Sequence, residues 1–160
     1  MMEEIIYREA TVADLDQLKV LGKGLLDLYS TENRPHYIFK EDSPEVMAKY
    51  FKMNIESEDG FVFVAEKESH IVAYINLNIQ APENPLLVWK KEAYLRELFV
   101  SEDVRSLGIG KVLVEKAKEY SKAHGAEWIN VLIDVQEPKA IDFYKKIGFK
   151  NVETNAVMKL

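Results

Sequence analysis

The chain changes its hydrophobic period at Phe61, and that change limits the possible folds more than any other feature. Before it, Leu15, Leu18, Gly22, Leu25 and Leu28 recur at helical spacing, as do Val46, Met47, Tyr50, Phe51 and Ile55. After it, Phe61–Ala65 is a nearly continuous apolar run, the pattern of a strand covered on both faces. Ile71, Ala73, Ile75, Leu77 and Ile79 then alternate with Val72, Tyr74, Asn76, Asn78 and Gln80, which is period two. The polar turn between the two runs predicts an antiparallel hairpin.

Strand and helix periods alternate through the rest. Ile5–Ala10 reads as a short strand, and Thr11 with Asp14 marks a helix start. Ser43-Pro-Glu45 opens the second helix, with proline where its missing N–H costs nothing. Ala93–Val100 predicts a strand, Ile109 to His124 a helix, Trp128–Val135 a strand, Pro138–Ile147 a helix, and Phe149 to Leu160 a final strand or hairpin. This order predicts a mixed α/β sheet with helices on both faces. The strand–helix–strand unit from Ala93 to Val135 predicts a right-handed crossover joining two parallel strands. No repeat, linker or low-complexity stretch divides the sequence, so residues 1–160 read as one domain.

Composition removes several function classes. Lys and Arg number 21 against 27 for Asp and Glu, a net charge of −6, which argues against binding nucleic acid through general phosphate attraction. The same balance permits a cationic partner. Cysteine is absent, so a disulfide, a thiolate metal site and an acyl-cysteine intermediate are all excluded. The three histidines, His36, His70 and His124, show no metal-ligand spacing. Residues 1–10 have no signal-peptide pattern, and no apolar stretch approaches the ~18 residues that span a bilayer. The expectation is a cytoplasmic protein without membrane or metal, and pairing into a homodimer is compatible with the sequence.

Chemistry concentrates at Arg105-Ser106-Leu107-Gly108-Ile109-Gly110-Lys111, between a strand and a long helix. Two glycines let the backbone turn tightly and approach a ligand. The unpaired N–H groups of the helix start form a cradle for a pyrophosphate. An ordinary strand–helix turn would use the same residues. A Walker loop is excluded, because Arg105 stands where its first glycine is required and Val112 follows the lysine. A dinucleotide fingerprint fails at Leu113.

The pattern Arg105-x-x-Gly108-x-Gly110, after a strand ending Leu98-Phe99-Val100, resembles the GNAT superfamily of acyl-CoA-dependent N-acetyltransferases. Ala140-Ile-Asp-Phe143-Tyr144-Lys-Lys-Ile147-Gly148-Phe149 is similar to a second segment of that family, and Arg8-x-Ala10-x-x-x-Asp14 to a third. Together these matches bracket almost the whole chain. The resemblance implies a mostly antiparallel mixed sheet that splays between its two parallel strands. The pantetheine arm of acetyl-CoA would pair with Leu98, Phe99 and Val100, and its pyrophosphate would rest on residues 105–110. It also implies transfer of the acetyl group to a primary amine by direct attack in a ternary complex; a CoA-binding sensor or a partner-binding domain on the same fold is the alternative.

Tyr144 matches the family tyrosine that gives a proton to the leaving sulfur, although Ala140, Phe143 and Ile147 also suit a core tyrosine there. Glu97 is the candidate base: its carboxylate interrupts an apolar face shared with Leu95 and Phe99, and burial there would raise its pKa. The other reading of Glu97 is a strand residue ion-paired with Arg96 or Arg105. Glu92 is a lesser candidate at the strand's edge. The family's frequent asparagine is replaced by Glu137, ahead of Pro138. His36 and Tyr37 lie in the segment that borders the acceptor pocket in the family, and a small molecule or a peptide amine is the expected acceptor.

Overall fold

The computed structural model describes residues 4–29, 38–81, 85, 86, 88, 90–134, 137–152 and 158. Five strands form one sheet in the order β1-β2-β3-β4-β5: β1 (Ile6–Glu9), β2 (Gly60–Lys67), β3 (His70–Gln80), β4 (Glu92–Val100) and β5 (Trp128–Val131). The first four pair antiparallel, and β4 pairs with β5 parallel, as a helical crossover requires. Glu68 and Ser69 both adopt positive φ, +48° and +64°, which gives the β2–β3 hairpin its tight two-residue turn.

Helices α1 (Leu15–Tyr29) and α2 (Ser43–Glu56) cover one face, while α3 (Ile109–Ala123) and α4 (Pro138–Lys146) lie on the other. Each face has its own core. Leu18, Leu21, Phe51, Val62, Val64 and Tyr74 meet under α1 and α2, and Ala73, Ile75, Leu77, Leu95, Leu113, Ala117 and Tyr144 meet under α3 and α4. Because both faces are covered, the alternation in β3 does not separate an inner from an outer side, and residues 71 to 77 are all buried.

The start of α1 is held by charge. Arg8 on β1 forks onto Asp14, with both N–H···O distances 2.8 Å, and also donates to Glu66 on β2. The Asp14 carboxylate accepts from the Thr11 amide at 2.7 Å as well. These donors pull the Asp14 pKa down to about 2, the Arg8 hydrogen bonds being the largest cause.

Two expectations need correction. Strand β5 ends at Val131 and not at residue 135; residues 132–134 leave the sheet, and 135 lies outside the described residues. No strand begins at Phe149: residues 149–152 carry no regular structure, because Phe149 caps α4, its amide bonding the Tyr144 carbonyl at 3.0 Å after the Gly148 stop. Most of 153–160 lies outside the described residues. Among the described residues, no helix is long and apolar enough to cross a membrane.

Candidate active site

Strand β4 is the axis of the site. Its parallel pairing with β5 runs from Glu92↔Trp128 to Leu95↔Val131 and stops there. On the other side the ladder to β3 continues to Ala73↔Val100, skipping Arg96, which bulges between Leu77↔Leu95 and Asn76↔Glu97. A bulge bends a strand and increases its twist, so the outer half of β4 turns away from β5. Leu98, Phe99 and Val100 therefore pair with β3 on one side and, among the described residues, with no strand on the other. An extended ligand with amide groups can bond to such an edge as an added strand does. The Arg105 Nε already donates to the Val100 carbonyl at 3.0 Å, tying the following loop to this edge.

That loop turns directly into α3. Gly108 is the N-cap with φ +80°, a left-handed conformation that glycine adopts without strain. Ser106 is also left-handed at φ +67°, a costlier choice for a residue with a side chain. The Gly108 carbonyl accepts from the Lys111 and Val112 amides, whereas the amides of residues 106–110 reach no backbone acceptor among the described residues. These five consecutive amides stand at the positive end of a 15-residue helix, in the segment 105–110 for which the sequence predicts an anion cradle. Lys111 is exposed one residue further on.

Glu97 lies on the α1/α2 side of β4, beside Phe99. It makes no ion pair among the described residues, so the salt-bridge reading fails: Arg96 Nε donates to Asn78, and Arg105 to Val100. Its partner is the Asn76 Nδ2, which donates to Oε2 at 2.6 Å. Loss of water around the carboxyl raises the Glu97 pKa to about 7, against smaller lowering effects from Asn76 and Arg96. A carboxyl tuned to that range can take a proton near neutral pH. Tyr74 stands two register pairs along on β3, fully buried, and the Glu97 charge helps to raise its pKa after burial itself. Its hydroxyl is the buried side-chain atom that lacks a hydrogen-bond partner among the described residues.

Tyr144 projects from α4 into the opposite core, 7% exposed, with edge-on rings of Phe143 at 5.1 Å and Phe149 at 5.3 Å. Burial, and to a lesser degree Tyr29, push its pKa up, so its phenol keeps the proton at neutral pH. Tyr29, the last residue of α1, adds a smaller electrostatic effect to both Tyr74 and Tyr144. Glu92 sits at the far end of β4, held by the Asn130 Nδ2 at 2.6 Å, too distant to share chemistry with Glu97. Glu137 is the exposed N-cap of α4, its carbonyl accepting from the Ala140 and Ile141 amides. His36 and Tyr37 lie outside the described residues. Among the described residues no group of three or more acidic or histidine side chains is arranged to hold a metal.

Asn76 and Tyr74 were not anticipated as site residues. The one signal was a polar residue at the centre of an apolar strand, and only the β3–β4 register makes it meaningful.

Residues 24–149 match the Acetyltransferase (GNAT) family. A Sulfurisphaera tokodaii protein named N-alpha-acetyltransferase is 31% identical over 152 residues, 94% of this chain and 83% of that one. An uncharacterized N-acetyltransferase of Methanocaldococcus jannaschii, MJ1207, is 41% identical over 61 residues, which span 38% of this chain and only 27% of the relative's length. Among solved structures, a mutant of the BH1408 protein from Bacillus halodurans superposes with a TM-score of 0.86 at 27% identity, covering 97% of this chain and 99% of that one. A predicted acetyltransferase from Clostridium acetobutylicum, solved with acetyl-CoA, shares the fold at a TM-score of 0.77 and 17% identity, covering 98% and 96% of the two chains. The extent of these matches, with the splayed β4–β5 pair and the glycine-capped α3, makes this chain a member of the GNAT family of acetyltransferases.

Proposed function

We propose that this chain is an N-acetyltransferase that moves the acetyl group of acetyl-CoA to a primary amine by direct attack in a ternary complex. The observation that carries the reading is the outer half of β4. One backbone edge of Leu98–Val100 pairs with no strand among the described residues, amides 106–110 without a backbone acceptor lie beside it, and the adjoining α1/α2 face carries a carboxyl poised near pH 7. The donor lies along that edge with its pyrophosphate on residues 105–110, and the acceptor amine approaches from the α1/α2 side. The C. acetobutylicum structure with acetyl-CoA, on the same fold, supports the choice of donor.

Glu97 accepts the proton that the amine must lose, either directly or through one water. The neutral nitrogen forms a bond to the thioester carbonyl carbon, and collapse of that adduct breaks the carbon–sulfur bond. Tyr144, protonated at neutral pH, gives its proton to the departing thiolate. The second proton that the nitrogen then sheds passes through water to restore the Tyr144 phenol. The products are an acetamide and free CoA. The absence of cysteine from the chain is consistent with transfer without a thiol acyl-enzyme.

The S. tokodaii relative makes a peptide N-terminus the first acceptor to try, and the net charge of −6 adds cationic small amines. The purified chain, given acetyl-CoA and separate panels of N-terminal peptides, lysine peptides, polyamines and aminoglycosides, should release free CoA with one of them and form an acetamide of matching mass. CoA binding without release against any panel would favour a sensor; no CoA binding would overturn the reading.

A further inference from the structure

Glu97 does not end its hydrogen-bond path at Asn76. The Asn76 Oδ1 accepts from the Asn54 Nδ2 at 2.6 Å, so a continuous line runs from Asn54 on α2, through Asn76 on β3, to Glu97 on β4. The three residues are far apart in sequence and meet only in the folded sheet. Asn54 is 6% exposed and Asn76 is 1% exposed, Asn76 lying in the middle of the buried run of β3. Burying two primary amides there is unfavourable unless each is bonded, and a core of Leu or Met would fill the same volume without that demand. The last turn of α2 is also firmly seated, since a Cβ on Gly60 would come within 2.3 Å of the Asn54 carbonyl oxygen.

The line has a direction. A carboxylate only accepts, so Asn76 must present its NH2 to Glu97 and its oxygen to α2. Asn54 fixes that orientation by donating to the oxygen. Without Asn54, Asn76 is free to turn over and offer its oxygen to Glu97, an arrangement that suits a protonated carboxyl. The other groups facing Glu97 do not replace this bond. Arg96 on β4 acts only at a distance, its guanidinium bonded to Asn78; the Tyr74 hydroxyl on β3 has no hydrogen-bond partner among the described residues; Tyr29 on α1 acts on Tyr74.

We propose that Asn54 and Asn76 are positioning residues for Glu97: a directional chain of two buried amides that orients its carboxylate and keeps it ready to accept a proton. The chain opposes the burial that favours the protonated form, and so holds the group where it can cycle. This rests on the reading of Glu97 as the proton acceptor, and the test separates the two.

The full chain, labelled with carbon-13 at glutamate carboxyls, is titrated by NMR, with Glu97→Gln identifying the signal. The wild-type midpoint is expected near pH 7. Asn76→Leu should move it up by about one pH unit, a tenfold gain in proton affinity. Asn54→Leu, which does not touch Glu97, should move it up by about half as much. A change that merely loosened packing would lower the melting temperature and leave the midpoint in place. An unmoved midpoint in a folded Asn54→Leu protein overturns the proposal even if Asn76→Leu fails to fold. In parallel, the acidic limb of the transfer rate is followed with the best acceptor. If the limb is lost in Glu97→Gln and the titration is unmoved, only the amide chain is overturned. If the limb survives in Glu97→Gln, the base reading falls and the positioning role falls with it.

Discussion

The two sides of β4 solve different problems by different means. On the α3 side the surface that we propose for the donor is backbone: amides 106–110 at a helix start and a strand edge at Leu98–Val100, neither bonded to another backbone segment among the described residues. On the α1/α2 side it is side chain: Glu97, with Asn76 and Asn54 buried behind it and Tyr74 beside it, its hydroxyl without a partner among the described residues. A pyrophosphate and a pantetheine amide are the same in every donor molecule, so main-chain geometry is enough to hold them. Removing a proton depends on a pKa, and only side chains in a shaped environment can set one. Substitutions on the first side should therefore act on binding, and those on the second on rate and pH dependence.

The largest effect should come from Gly110→Asp. A Cβ there stands 3.4 Å from the Phe143 ring and 3.7 Å from Val100, and the carboxylate would add charge to a cradle for an anion. CoA affinity, measured by calorimetry, should fall more than about 100-fold, the 2.7 kcal/mol or more expected where like charges meet with little solvent between them. Affinity within a few-fold of wild type would break the comparison at its simpler end.

Glu97→Gln should do the opposite, leaving CoA affinity unchanged while lowering kcat by about 10²–10³-fold above pH 7. Below pH 7 the wild-type carboxyl is already protonated, so the two proteins should converge. Stability gives an independent sign. The folded pKa of about 7 lies above the ordinary 4.5, so folding takes up a proton between those values. Stability from this group is complete below about pH 4.5 and falls as pH rises through 7. The total change is at most ~3.5 kcal/mol, from ~1.4 kcal/mol for each pH unit. Glu97→Gln should accordingly melt higher than wild type at pH 8 and about equally at pH 4.5. Equal melting at both would mean that the carboxyl is not desolvated.

The same contrast explains what the sequence made legible. The glycine-capped start of α3 was visible as Gly108-x-Gly110 after an apolar strand, because such a backbone turn leaves its mark in local glycine spacing. The mixed sheet and its parallel pair followed from the order of periods. Glu97 showed itself as a charge among apolar strand residues, but it shares its face with Phe99 and not with Leu95, because the bulge at Arg96 turns Leu95 into the α3/α4 core. Asn76 did not show itself, because its meaning depends on pairing with a residue 21 positions away and on an α2 residue 22 positions before it. Strand β5 was drawn too long for a related reason: Leu132 and Ile133 continue its apolar run, but the sheet has already splayed away from them.

Tyr144→Phe falls between the two classes, since Tyr144 belongs to the α3-side core yet is read as a proton donor. Losing one hydroxyl leaves the ring contacts with Phe143 and Phe149 in place, so CoA affinity and melting temperature should hold. The rate should drop about 10-fold or more, less for acyl donors whose thiolate leaves easily. An unchanged rate would remove its acid role.

Asp14→Asn should produce the smallest change at the site and tests whether the two classes are separate from the scaffold. Arg8 would keep Glu66 but lose the fork onto Asp14, and the Thr11 amide would lose its charged acceptor. Arg8 is about a third exposed, so solvent screens part of the interaction, and the cost should be about 1–2 kcal/mol. The Asp14 pKa is depressed to about 2 from 3.8, so its stabilisation is present above pH 4 and disappears as pH falls toward 2. Wild type and Asp14→Asn should therefore differ in melting temperature at pH 7 and converge near pH 2. CoA affinity and the rate limb near pH 7 should both stay where they are. A shift in either would mean that the seating of α1, with Tyr29 at its end, reaches into the site.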